Sequence, residues 1–210
     1  MKLYGYFRSS AAYRVRIALN FKHIDADHVS IHLRDNDQKQ SAYLAKNPQD
    51  LVPALELDDG TLLTQSLAII EYVDAVRPAP RLIPPDPAMA AKVRAISLAI
   101  ACDIHPLNNL RVLNYLKDVL KQPHEAIDSW YRHWLLEGGL NAVEEMISGG
   151  NCCIGDCPTL ADVGLIPQVF NARRFNISID HLPRINKVNA TCANIEAFAA
   201  AHPSRQPDAQ

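Results

Sequence analysis

Apolar and polar residues alternate from the start of the chain. Leu3, Gly5 and Phe7 fall on one side and Tyr4 and Tyr6 on the other, which predicts a first strand over Leu3–Phe7. A polar turn follows, and Ser9 or Ser10 is placed to cap a helix reaching about Phe21, with Val15, Ala18 and Leu19 on one face. Val29, Ile31 and Leu33 alternate with Ser30 and His32, predicting a second strand. Arg34 to Gln40 is polar and predicts a loop, and a short helix over Ser41–Ala45 ends before Asn47-Pro48. Ala54–Leu57, the turn Asp58-Asp59-Gly60 and Thr61–Thr64 read as a hairpin through an Asp-Gly turn. A helix then runs from Ser66 to about Val76, with Leu67, Ile70, Val73 and Asp74 one turn after another.

This order of elements, strand–helix–strand–helix–strand–strand–helix, is that of a thioredoxin-like domain: one mixed sheet with helices on its faces. The segment Arg77–Pro87 holds five prolines and cannot continue a helix. Beyond it the period changes. Helical patterns run over 87–120, 125–148, 159–175 and 184–201, with no strand pattern among them. The expected fold class is therefore α/β plus all-α. It comprises an N-terminal thioredoxin-like domain (residues 1–78), a linker (79–86) and a C-terminal helical bundle (87–210). The polar tail Ser204–Gln210 is expected to be loose.

Composition narrows the function. The 210 residues carry a net charge of −2, which gives no general attraction to nucleic acid or to an anionic membrane. No apolar run approaches the ~20 residues of a membrane span, and the chain opens on a strand pattern rather than a signal-peptide core. The five cysteines are odd in number and none precedes Cys102, which predicts reduced thiols and a cytoplasmic protein. Cys152, Cys153 and Cys157 lack a paired zinc-knuckle spacing and the histidines form no ligand motif, so no metal is expected. Cys102 and Cys192 are expected in helix cores.

Three places could bind a ligand. The strand-to-helix turn at Arg8-Ser9-Ser10 offers two hydroxyls beside a helix N-terminus, an anion site in the making. Gln65-Ser66 opens a second helix, with Ser66 as its expected cap and a second place for a carboxylate. Val52-Pro53 stands before the third strand. About one X–Pro bond in twenty is cis, so the sequence favours trans; a cis bond in a thioredoxin-like sheet would leave the Val52 backbone free to pair with an extended peptide. Any acidic ligand needs local arginines, and Arg8, Arg14 and Arg16 cluster at the start. Arg14 and Arg16 are assigned to structure on the helix flank, and Arg173 to solvent. Thr159-Leu160-Ala161-Asp162 is a capping-box variant whose role is structural.

The combination of Arg8-Ser9-Ser10 with Arg14–Leu19 resembles the signature of zeta-class glutathione S-transferases. So do Val52–Leu55, Gln65–Tyr72, Arg77-Pro78, Pro106–Leu110, Asp162 with Pro167–Val169, and His202–Pro207. The resemblance spans nearly the whole chain. It implies glutathione as cofactor, a homodimer, and cis–trans isomerisation of a dicarboxylate, maleylpyruvate or maleylacetoacetate. A general transferase conjugating electrophiles is the alternative activity. Carried onto this sequence, it implies Ser9 and Ser10 as the catalytic hydroxyls at the glutathione sulfur, beside Ala11. Val52 would meet the cysteinyl backbone, Gln65 and Ser66 the γ-glutamyl group, and Gln38 the glycyl end. Asp103, His105 and Asn108 would face the same ligand. Arg8, Arg111 and Arg174 would bind the substrate carboxylates as planar forks. The family often has Cys where Ala11 stands and Trp where Tyr13 stands, so that thiol is not required here.

Overall fold

The computed structural model describes residues 1–209. Packing divides the chain into two compact units: Met1–Ile83 together with Ala193–Gln210, and Pro84–Cys192. No helix among the described residues is long and apolar enough to cross a membrane.

The first unit is built on a four-stranded sheet of order β2-β1-β3-β4. The strands are β1 (Lys2–Gly5), β2 (Asp27–Ser30), β3 (Ala54–Glu56) and β4 (Leu62–Thr64). β1 and β2 are parallel, while β1–β3 and β3–β4 are antiparallel. The β3–β4 connection is the expected hairpin, turned at Gly60, whose φ of 87° suits a residue without Cβ. Helix α1 (Ser10–Phe21) joins the parallel strands. It is buried all round from Ser10 to Leu19, and Gly5 lets it lie close: a Cβ there would stand 3.3 Å from that of Ala12. A short α2 (Ser41–Leu44) precedes β3, and α3 (Ser66–Val76) packs beside α1. Asp74 on α3 fastens the proline-rich segment to this unit. It pairs with the fully buried Lys22, accepts the Leu82 N–H at 2.7 Å and the Ile83 N–H at 3.2 Å, and Lys22 also donates to the Arg77 and Pro80 carbonyls.

The second unit is all helical. α4 (Pro87–Leu98) opens on Pro87 with Asp86 as cap, and it continues as a π-helical stretch over Ala99–Ile104. The path breaks at a 3₁₀ turn, Pro106–Asn108, where the proline lacks an N–H. α5 (Leu110–Asn114), α6 (His124–Arg132) and α7 (Asn141–Met146) follow, with π-helical stretches at 115–119 and 133–140. α8 (Leu160–Arg174) is the central helix and packs against α4. Its expected capping box is complete. Asp162, fully buried, accepts from Thr159 N–H at 2.7 Å and Thr159 Oγ1 at 2.9 Å. Its other oxygen accepts the Cys153 N–H at 2.7 Å, which pins the preceding loop. α9 (Pro183–Ala193) closes the unit.

Several expectations need correction. The second strand lies earlier than its apolar alternation suggested, ending at Ser30. Residues 87–210 are not one compact body: from Ala193 onward the chain packs with the first unit, where α10 (Glu196–Ala200) lies on α1. The tail is not loose up to Ala209. A 3₁₀ turn over Pro203–Arg205 is capped by His202, and Gln206 Nε2 donates to the Ala200 and His202 carbonyls at 2.9 and 3.0 Å. Ala209 packs on the apolar cluster of Tyr6, Phe7 and Ile31. Cys102 is exposed rather than in a core, whereas Cys192 is buried.

Candidate active site

Register places the three candidate stretches at one end of the sheet. Tyr4 pairs with Ala54 and Ala54 with Thr64. The end of β1 leading to Ser9, the approach to β3 through Val52, and the end of β4 leading to Gln65-Ser66 therefore emerge together.

Ser9, and not Ser10, caps α1. Its backbone is extended, and its Oγ accepts the Ala12 N–H at 3.2 Å. That bond occupies a lone pair and leaves the hydroxyl proton to donate outward, at the positive end of a twelve-residue helix. Ser10 is buried beneath it, and Ala11 is part of the helix core. Arg8 stacks on Phe7, its guanidinium carbon 4.8 Å from the ring centre, and makes no ion pair among the described residues.

Val52 reaches the same end with its side chain buried and its peptide N–H and C=O outside every backbone hydrogen bond among the described residues. The Val52-Pro53 bond is cis, the geometry that the sequence alone disfavoured. Gln65 is the N-cap of α3, a correction to the expected Ser66. It holds φ 68° and ψ 115°, a conformation that strains any L-residue, and such strain gathers at ligand sites. Its Nε2 donates to Gln49 Oε1 at 3.0 Å. Ser66 is instead the first helical residue. Its Oγ accepts from Arg14 Nη1 at 3.2 Å, which again leaves the proton to donate. Arg14 is 1% exposed and lies against Ser66, the first residue of α3, which places a buried guanidinium at that helix N-terminus. Its sequence position suggests the helix flank; the signal against that is its place among Tyr13, Val15 and Ile17, a stretch with no solvent face. Gln38 is buried on a 3₁₀ turn, Asp37–Lys39, and its Oε1 has no partner among the described residues.

In the second unit Asn108 is buried, donates to the Tyr131 carbonyl at 3.2 Å, and keeps its Oδ1 without a partner among the described residues. Tyr131, a residue no motif singled out, ties Asn108 to Arg174. Its ring lies 4.1 Å from that of Phe175, on which the exposed Arg174 stacks, and its hydroxyl bonds to Arg174. Burial pushes the Tyr131 hydroxyl up to about 12, with Arg174 pulling it back, so it stays a neutral donor. Arg111 and Asp103 are exposed and His105 is half-buried. Arg173 is exposed.

A thioredoxin-like sheet, a helical unit and two serine-bearing helix N-termini define the glutathione S-transferase class. The family profile for the glutathione S-transferase N-terminal domain matches residues 3–81. The chain is 47% identical over 210 residues to a maleylacetoacetate isomerase of Pseudomonas aeruginosa, covering 99% of this chain and 98% of that protein. The solved holo structure of a bacterial zeta-class maleyl pyruvate isomerase superposes with a TM-score of 0.96 at 40% identity, over all of both chains. A maleylacetoacetate isomerase of Methylobacterium extorquens AM1, solved with malonate and glutathione bound, gives 0.96 at 38% identity, again over both whole chains. The chain belongs to the zeta-class glutathione S-transferase family of maleylacetoacetate and maleylpyruvate isomerases.

Proposed function

We propose that this protein is a glutathione-dependent cis–trans isomerase that converts a maleyl keto acid, maleylpyruvate or maleylacetoacetate, to its fumaryl isomer. The observation that carries this reading is the Ser9 cap, whose hydroxyl oxygen is engaged by Ala12 N–H while its proton is left for an anion. Whole-length kinship to isomerases of both names supports it. So does the presence of glutathione together with a dicarboxylate in a close structural neighbour. The residues present fit the tripeptide: two anion-seeking helix starts, and between them the unpaired peptide groups of Val52.

When bound, glutathione supplies a thiolate, a nucleophile able to add reversibly to an activated cis double bond and so release its rotation. Ser9 holds that sulfur as the thiolate by donating its hydroxyl proton, and the α1 N-terminus adds its partial positive charge. Ser9 therefore needs no base. Ser10 and Ala11 shape the same turn. Gln65 and Ser66 hold the γ-glutamyl carboxylate over Arg14, and Val52 pairs with the cysteinyl backbone as an added strand would. Gln38, Asp103, His105 and Asn108 are the further positions that the family assigns to glutathione. Arg8, Arg111 and Arg174 are the proposed partners of the substrate carboxylates and of the negative charge that develops on its keto oxygen. The kinship also supports a homodimer, and five unpaired thiols suit a cytoplasmic enzyme.

The test is turnover of maleylpyruvate and maleylacetoacetate with and without glutathione, in the wild type, Ser9→Ala and Arg8→Ala. Ser9→Ala should lower kcat by about 10²-fold, the usual cost of one donor at a developing anion. Arg8→Ala should raise KM for the acid and leave glutathione affinity nearly unchanged. Turnover that persists without glutathione or survives Ser9→Ala would sink the reading. Faster conjugation of an aromatic halide than isomerisation would favour a general transferase instead.

A further inference from the structure

Asp208 lies against the turn that carries Arg8 and Ser9, and nothing in the proposed reaction uses it. Its Oδ2 accepts the Phe7 N–H at 3.0 Å and the Ser30 hydroxyl at 3.1 Å, and its Oδ1 faces His28 Nε2 at 3.2 Å. The side chain is only 11% exposed. On the other side of the same residue, the Phe7 carbonyl accepts from Arg16 Nη2 at 3.0 Å, and Arg16 Nε is itself fixed on the Ala201 carbonyl at 3.1 Å. Both peptide groups of Phe7 are thus held, one by an anion and one by a cation. Both holds depend on residues from the C-terminal segment.

The topology explains why an acceptor is needed there. The parallel β1–β2 ladder runs on through Ile31 N–H to the Gly5 carbonyl at 2.8 Å. In an evenly spaced parallel ladder the next donor is the Phe7 N–H. The chain turns away at that point, closing Ser9 N–H onto the Tyr6 carbonyl at 2.9 Å, so Phe7 is left buried with an amide that β2 does not take. The Asp208 carboxylate takes it, and a charged acceptor holds an amide more firmly than a carbonyl does. Burial draws Arg16 down to about 10 while Tyr13 and Asp208 pull it up, so it is still the cation that its half of the clamp requires.

We infer that Asp208 is a positioning residue for the active-site turn: by fixing the Phe7 amide it sets where the Ser9 hydroxyl points, and so how well the site holds a thiolate. The contact stands on the geometry alone, and its catalytic consequence rests on the proposed glutathione reading. The lever is short, since Phe7 is two residues from Ser9 and the Ser9 oxygen is already fixed on Ala12 N–H.

The test uses the full chain as Asp208→Ala and Asp208→Asn, with three readouts. Amide hydrogen exchange of the unliganded protein reports the turn without any assumption about function. Ultraviolet titration of the thiol in the glutathione complex reports thiolate stabilisation. Steady-state kinetics separate kcat from KM. Asp208→Ala should speed exchange selectively over residues 7–12, raise the bound thiol pKa, and lower kcat about tenfold, the equivalent of 1.4 kcal/mol, with glutathione affinity held within about twofold. Asp208→Asn keeps one oxygen acceptor for Phe7 and should lie nearer the wild type in all three. Wild-type exchange over residues 7–12 in Asp208→Ala would overturn the inference, as would exchange raised evenly through the whole unit. A wild type that does not lower the thiol pKa at all would refute the glutathione reading while leaving the exchange result to stand for the contact.

Discussion

Replacing Asp162 with alanine should destabilise the helical unit by about 3 kcal/mol and leave substrate recognition intact. The carboxylate accepts three bonds, from Cys153 N–H at 2.7 Å, Thr159 N–H at 2.7 Å and Thr159 Oγ1 at 2.9 Å. Alanine leaves two buried amides without acceptors, each costing about 1–3 kcal/mol, while Thr159 stays in place as the cap. Against this, burial pushes the Asp162 carboxyl up in spite of its donors, so the charged form bears a desolvation cost that the substitution removes. The balance is a loss of about 3 kcal/mol. For a chain of this size 1 kcal/mol shifts Tm by about 2–4 °C, which predicts a drop of about 6–12 °C. Asp162→Asn keeps one acceptor oxygen and should fall roughly midway. Thermal melting by circular dichroism reads the first effect, and KM for glutathione and for the maleyl acid, taken well below Tm, reads the second. An unchanged Tm with a raised KM would refute the reasoning and move Asp162 into the binding machinery.

Two further outcomes follow from the first unit. Asp74→Ala strands the buried Lys22 ammonium and orphans the Leu82 N–H, so it should cost about 3–5 kcal/mol in urea unfolding; an unchanged midpoint would refute the role given to this pair. Glu56 is held at about 2, below its ordinary 4.5, first by the Lys46 hydrogen bond and then by Tyr4. A depressed folded value means that its stabilisation is complete above pH 4.5 and is lost as pH falls toward about 2. Glu56→Gln should therefore flatten the acid limb of a melting profile over that window, and an identical limb in both proteins would count against it.

Much of the site was legible because its chemistry is local. An N-cap is decided within four residues, so Ser9 followed by a helical pattern already implies a hydroxyl beside unpaired N–H groups. The Asp-Gly turn and the Thr159–Asp162 capping box are of the same kind, and both form as their spacing implies. Ser66 shows where this stops. Serine is the better cap on propensity, yet Gln65 takes that place in a strained backbone that no local preference would choose. Such a conformation persists only where surrounding structure over-determines it. Arg14 shows the same limit. Arginine is rarely buried, and only the packing of α1 beside α3 reveals that its charge lies under Ser66.

The sequence by itself determined the elements, their order and the two halves of different character, because hydrophobic period and proline placement act over a few residues. It also determined the family, through motifs spread along nearly the whole chain. Tertiary structure alone decided which distant groups serve one another. By position the tail from Ala193 belongs to the helical part, but it packs on the first unit, where Asp208 meets an amide 201 residues away. Such a partnership leaves no periodic trace: a polar residue in a polar tail gains its meaning only when a strand end elsewhere is buried with a donor to satisfy.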